Sequence, residues 1–336
     1  MDYGISGVLT VQKDEVMSNI MFAYNLNKND RAMYITLPDI MKFDFSFHNG
    51  INEMLYMTLV DTKSNYAIKV YFNCGKNSKI DNMCKAYILN VLSYISKTKE
   101  VFWTSKLKEK IISNVSLKDG KKFEKIDFNT AIQKGTLFYF QFKGDKDVQK
   151  PINEITNILV EKNLTIDSER VKEFLSTTIG EIFSNSVNHS EQDTIYFLCD
   201  IEHEKDGYYL RINVMDYGTT IVKNVRDYFA IVKAKKCDDI ECLKWAIEPG
   251  NTTRQGSGGY GLPTLISYIK STKGTLFIIS DRVNYVLDAG KEKVEYSDGV
   301  FFGTSITFKV KLYNTSQAIT INQETEELIS VSLDSI

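Results

Sequence analysis

The stretch Gly180-Glu181-Ile182-Phe183-Ser184-Asn185-Ser186-Val187-Asn188-His189 decides how the second half of this chain is read. Four-residue spacing puts Glu181, Asn185 and His189 on one stripe of an α-helix. Val171, Phe174, Leu175, Ile179, Ile182 and Phe183 supply the buried side of the same helix, and Asp167-Ser168-Glu169 is its capping signal. A polar stripe beside an apolar one describes a helix that packs on a sheet and keeps chemistry at its edge.

Outward from this helix, the flanking segments supply the sheet. Thr194 to Cys199 and Tyr209 to Val214 read as strands joined by a Lys205-Asp206-Gly207 turn, hence a hairpin. Asp216-Tyr217-Gly218 follows directly. Ile221 to Ile247 reads as helical and loosens at Glu248-Pro249-Gly250-Asn251. Next come Gly256-Ser257-Gly258-Gly259-Tyr260-Gly261 and a short helix over Leu262 to Lys270. Phe277 to Ile279, Val283 to Leu287 and Thr304 to Val310 complete an antiparallel sheet. The expected fold class is α+β, an α/β sandwich with helices on one face of a mixed, mostly antiparallel sheet.

The first segment alternates strand and helix signals and predicts a smaller α/β domain over 1–148. Met33 to Leu37, Ala67 to Phe72 and Leu137 to Phe142 read as strands, and Ile51 to Leu59 and Asp81 to Ile95 as helices. His48 lies in a strand-like Phe43-to-Phe47 context. The lysine-rich run from Lys97 to Lys125 is interleaved with Glu100, Glu109, Asp119, Glu124 and Asp127, so it reads as a solvated surface. The expected boundary is the charged stretch Gly144 to Pro151. The sandwich domain then covers 149–312, and 313–336 is a polar acidic tail or an edge strand.

The formal net charge of −2 gives no overall field toward nucleic acid or a membrane. Five cysteines, odd in number and irregularly spaced, predict reduced thiols. Cys237 and Cys242 lack the histidine partners of a zinc site. The N-terminus has no basic-then-apolar signal pattern and no apolar run reaches membrane-spanning length, which predicts a cytoplasmic protein.

Taken singly, each motif has an ordinary reading: exposed helix residues, a turn after a strand, a flexible loop. Together they carry a consistent chemistry. Magnesium takes oxygen ligands and keeps several waters, which suits one asparagine carbonyl, that of Asn185. A glutamate one turn earlier can hold a water in line with a terminal phosphate. A buried Asp216 can accept from the amino group of adenine, which guanine lacks there. The glycine run offers N–H groups to phosphates, and the next helix offers its positive end. No Gly-Lys-Ser/Thr follows, and the run succeeds a helix, so neither a P-loop nor a dinucleotide fingerprint is present.

From about Asn153 to Leu312 the order of these motifs resembles the GHKL ATPase superfamily, which includes DNA gyrase B, heat-shock chaperone ATPases, histidine kinases and MutL. The Glu-x-x-x-Asn-x-x-x-His form is most similar to the anti-sigma-factor serine kinases. The resemblance implies ATP and Mg2+ as cofactors, Glu181 as catalytic base and Asn185 as the metal ligand. It implies contacts to the nucleotide from Asp216, Gly218, Gly256, Gly258, Gly259, Gly261 and Thr304. Ile221 to Arg254 would form a lid that closes Thr253 or Arg254 on phosphate, and His189 would pack beneath the site. Two departures stand out: Thr220 where the family's first box has glycine, which narrows room near the nucleotide, and Ser257 in the glycine loop.

The three histidines are His48, His189 and His203, and none lies between His48 and the Glu181 helix, which argues against a sensor histidine kinase. Only a short tail follows Val310, so the expectation is that any lysine reaching the terminal phosphate comes from the lid (Lys233, Lys235, Lys236), from the N-terminal domain or from a partner chain. The expected function is an ATP-hydrolysing conformational switch that acts on a protein partner or as a homodimer. The alternatives are a serine/threonine protein kinase of the anti-sigma type and a non-catalytic nucleotide module.

Overall fold

The computed structural model describes residues 5–9, 22–27, 29–60, 67–111, 124–125, 138–143, 153, 155–157, 159, 161–165, 175–189, 194–253 and 258–314. These form a mixed α+β protein that divides into two compact units. The first holds 1–139 with 280–284 and 295–302; the second holds 140–279, 285–294 and 303–336. The expected linker, Gly144 to Pro151, lies outside the described residues, and so does the expected tail 313–336 apart from Tyr313 and Asn314, which end a strand.

In the first unit a six-stranded sheet runs in the order β1 (Ile5–Leu9), β2 (Phe22–Asn27), β3 (Ala32–Leu37), β5 (Lys69–Cys74), β7 (Glu100–Trp103), β8 (Glu124–Lys125). The strands β4 (Ile40–Met41) and β6 (Lys79–Ile80) pair separately. β3, β5 and β7 are parallel, and parallel neighbours need crossovers. Those are α1 (Phe45–Leu59) and α2 (Asn82–Ile95), capped by Asp44 and Asp81. A short α3 (Ser105–Ile111) follows β7. Met33, Ile35, Leu37, Val70, Phe72, Val101 and Trp103 alternate into the core. On the other side of the same strands the rings of Tyr34, Tyr71 and Phe102 stack at 4.8 Å, the spacing of adjacent strands.

The strand-like reading around His48 is corrected. Phe43, Phe45 and Phe47 alternate as a strand would, but the Asp44 carboxylate accepts from the Phe47 N–H and starts a helix instead. His48 is then fully buried against Phe43, Phe47 and Tyr87, and desolvation pushes its pKa down to about 3.

The second unit holds most of a second six-stranded sheet, of whose strands residues 280–284 and 295–302 fall in the first unit. Its order is β10 (Leu164–Thr165), β14 (Lys291–Asn314), β12 (Gly207–Asp216), β11 (Thr194–Glu204), β9 (Phe138–Lys143), with β13 (Thr275–Asp288) also paired to β14. The β11–β12 hairpin runs from Ile195 opposite Asp216 to Glu204 opposite Gly207. A π-helical turn (Leu175–Ile179) leads into α4 (Gly180–His189), and Phe183 of α4 meets Phe197 of β11 at 5.7 Å. That contact fixes the helix-bearing face. Ile195, Phe197, Leu210, Ile212, Val214 and Phe308 share it and are buried. The opposite face mixes buried Tyr196, Leu198 and Met215 with a polar network. Arg211 pairs with Asp200 at 2.8 Å, and Asn213 donates to Ser305 and Thr307.

Three expected elements change. Phe277 to Ile279 and Val283 to Leu287 belong to one strand, β13. The polar Ser280-Asp281-Arg282 looked like a break, but Asp281 takes a left-handed φ of 58° and the strand resumes. β13 turns into β14 through Ala289 and Gly290, both at positive φ, as a two-residue hairpin requires. Gly303-Thr304 therefore lies inside β14 and does not start it. Finally, Ile221 to Ile247 is two helices, α5 (Ile221–Val232) and α6 (Asp239–Ala246), because Asp238 recaps the chain. The capping signal Asp167-Ser168-Glu169 lies outside the described residues.

Candidate functional site

A cavity of about 220 Å³ opens where α4, the end of β12, α5, α6 and the start of α7 (Gly261–Ser271) converge in the second unit. Helical spacing does what the sequence suggested on α4. Glu181, exposed, and Asn185, half-buried, both face the cavity, while Ile182 and Phe183 are buried. Ser186, which the sequence reading passed over, also lines it. The side chain of His189 lies outside the described residues.

Asp216 ends β12 on the helix-bearing face, in register with Ile195 and Thr304 and two residues beyond buried Val214. Its position at the end of an apolar row explains its 2% exposure. Desolvation raises its pKa to about 7, opposed by the Ser186 hydroxyl and the N–H groups of Thr304 and Gly218, which all donate to the carboxylate. Those donors leave one oxygen over. Oδ1 of Asp216 is buried and has no hydrogen-bond partner among the described residues, and Asp216 lines the cavity. Gly218 thus acts on Asp216 through its N–H and is not itself a described wall residue.

The raised pKa has a testable consequence. Asp216 is protonated more readily in the folded chain than in the unfolded one, so its favourable contribution is complete below about pH 4 and is lost as pH rises through about 7. Urea denaturation of the ligand-free protein should show stability falling across that window. In Asp216→Asn the same fall should be smaller.

The glycine run separates into residues with different duties. At Gly259, φ is +82°, and an added Cβ would lie 2.2 Å from the Asn251 carbonyl oxygen. The Gly259 carbonyl accepts from the Gly250 N–H at 3.1 Å, and the Asn251 amide donates to the Trp245 carbonyl at 2.9 Å. The loop is thereby tied to α6. A Cβ on Gly261 would press on Glu181 at 3.0 Å, so this glycine lets α7 start against the glutamate. Gly258 has ordinary space around it. Tyr260, the N-cap of α7, makes no side-chain cap, and Gly261, Leu262 and Pro263 line the cavity. The helix start is therefore presented to the cavity without a side-chain cap. Arg254 and Gly256 lie outside the described residues.

Thr253 and Thr304 line the cavity, and Thr219 does too. Thr220 does not: its hydroxyl accepts from the Lys223 N–H at 2.9 Å and caps α5, so its bulk goes to the helix start. Asn224 and Val225 of α5 and Trp245 and Ala246 of α6 complete the far wall. An Arg226–Asp239 ion pair and stacking of Tyr228 on Trp245 at 5.4 Å join the two helices. Sequence reasoning missed Trp245, although it is one of only two tryptophans in the chain.

The described lining carries two carboxylates, Glu181 and Asp216, and no lysine or arginine. Negative phosphates in such a place need a divalent cation and helix N–H groups for neutralisation. The residues fit that demand, with the Asn185 amide as a possible oxygen ligand beside the uncapped start of α7. No protein-family model matches this sequence, and no curated protein matches it. Among the described residues no helix is long and apolar enough to cross a membrane.

Proposed function

We propose that the second unit binds magnesium-ATP and hydrolyses it, working as a nucleotide-driven switch of the GHKL kind. The observation that carries this reading is the spare Asp216 oxygen, buried at the cavity wall with every other polar contact of the carboxylate satisfied. A buried acceptor lacking a donor is costly, and an exocyclic amino group supplies the donor. Ser186, Thr304 and Gly218 hold the carboxylate still for it. Asn185 would hold the metal through its side-chain oxygen, and the start of α7 would face the phosphates. When bound, magnesium supplies charge neutralisation on the phosphate oxygens. Glu181, one turn before Asn185, orients the attacking water and takes up its proton. The helical pair α5–α6 closes the opposite wall and serves as the lid.

Titration calorimetry tests the reading. Wild type should release magnesium-dependent heat with ATP, and Asp216→Asn should bind roughly 10–150-fold more weakly, the range for a hydrogen bond to a charged group. Unchanged affinity in Asp216→Asn would remove the basis of the assignment. The exposure of Glu181 also favours a second reading, in which a partner's serine or threonine hydroxyl replaces water. Transfer of labelled phosphate to a co-purified protein, with no free phosphate released, would select that reading.

A further inference from the structure

The head of α6 brings two cysteines together for a reason that lies in its capping. Asp238 is the N-cap, and its carboxylate accepts from the Glu241 N–H at 2.8 Å. Asp238 and Glu241 have the spacing of a capping box. The residues flanking such a box, one before the cap and the fourth of the helix, are the pair that a hydrophobic staple packs together. Here they are Cys237 and Cys242. The Cys242 N–H donates to the Asp238 carbonyl at 2.9 Å, which closes the first turn of the helix with Cys242 at the staple position opposite Cys237. Cys242 is fully buried and Cys237 is half-exposed, whereas Cys74, Cys84 and Cys199 are buried.

We propose that Cys237 and Cys242 are a redox modification site, at which a peroxide converts the paired thiols of the staple into a reversible intramolecular disulfide. Access sets the order of events. The Cys237 sulfur, as thiolate, attacks the peroxide O–O bond, which breaks; hydroxide leaves and Cys237 becomes a sulfenic acid. The Cys242 sulfur then attacks the Cys237 sulfur. The S–S bond forms, the S–O bond breaks, and the hydroxyl departs as water with the Cys242 proton. One hydrogen peroxide and two thiols give one disulfide and two waters, the sulfurs losing two electrons and the peroxide gaining them. Burial, with Cys237 beside it, pushes the Cys242 thiol up to about 12, which keeps it the second to react.

The cross-link would fix the α5–α6 connection to the first turns of α6, the helix that carries Trp245 and Ala246 into the cavity wall. Its effect on ligand affinity rests on the nucleotide reading above; the disulfide itself does not. Both cysteines fall in one tryptic peptide, 237–244. After hydrogen peroxide treatment of the whole protein, that peptide should be lighter by two hydrogens, recover with dithiothreitol, and show no such loss in Cys237→Ser, a change at a half-exposed position. Oxygen addition at Cys237 without loss of hydrogens, or a disulfide-linked dimer, would overturn the proposal. Oxidised and reduced protein should differ at least threefold in magnesium-ATP affinity, and equal affinities would refute control of the site by the disulfide. Absence of ATP binding in both forms would sink the nucleotide reading and leave the peptide mass to decide the disulfide.

Discussion

Glu181→Ala should lower ATP hydrolysis by roughly 10²–10⁴-fold, the usual contribution of a positioned general base, while magnesium-ATP affinity stays within a few-fold of wild type. The expectation follows from where the side chain stands. Glu181 is exposed at the cavity, one helical turn from Asn185 and beside Gly261, where an added Cβ would press on it. On the proposed reading it acts on the water and the terminal phosphate and leaves the base to Asp216. Phosphate release under saturating ATP measures the first quantity and calorimetry the second. Glu181→Gln separates chemistry from packing, since it keeps the volume beside Gly261 and removes the proton acceptor. If Glu181→Gln hydrolyses ATP as fast as wild type, Glu181 is not the base. If affinity collapses together with rate, the residue belongs to binding and the division of labour on α4 is wrong.

Local periodicity made much of the second unit's framework legible. The alternation in Thr194 to Cys199 and Tyr209 to Val214, with a glycine turn between, needs only neighbouring residues to be understood, and β11–β12 forms there. α7 likewise starts where the glycine run ends. What failed depended on conformations that residue type hides. Asp281 at positive φ lets one strand pass through a polar interruption, and Asp44 converts an aromatic alternation into a helix by capping it. Asp238 did the same within a stretch read as one helix. A cap is one side-chain bond, yet it outweighs weak propensity over several residues.

The candidate site divides along the same line. Glu181, Asn185, Asp216 and Gly261 were singled out from spacing and order, and the fold brings all four to one cavity. Ser186 and Trp245 carried no signal. A serine matters here only because its hydroxyl reaches a carboxylate on another element, and a tryptophan in an amphipathic helix reads as core. Thr220 has a role that the sequence reading did not assign it: at an N-cap its hydroxyl accepts from the Lys223 N–H, which side-chain volume alone does not reveal.

The second large effect belongs to a residue with no chemistry of its own. Gly303→Ala should destabilise the protein by about 3 kcal/mol, the upper end for forced overlap, and on the proposed reading weaken nucleotide binding with it. A Cβ at Gly303 would lie 1.9 Å from the Asp216 carbonyl oxygen, 2.7 Å from its carbon and 2.8 Å from Tyr217 Cα. All three are backbone atoms, so no rotamer change relieves the overlap. β14 would have to leave β12 beside the Asp216–Thr304 pair, and the Thr304 N–H that steadies the Asp216 carboxylate would move with it. Gly180→Ala is the matched control, because nothing lies within 4 Å of a Cβ there and the position starts a helix. That change should leave stability unaltered or raise it by up to about 1 kcal/mol. Urea denaturation of the two variants should therefore give shifts of very different size. A Gly303→Ala protein as stable as wild type would mean that β14 does not pass so close to Asp216, and the register that builds the site would have to be redrawn.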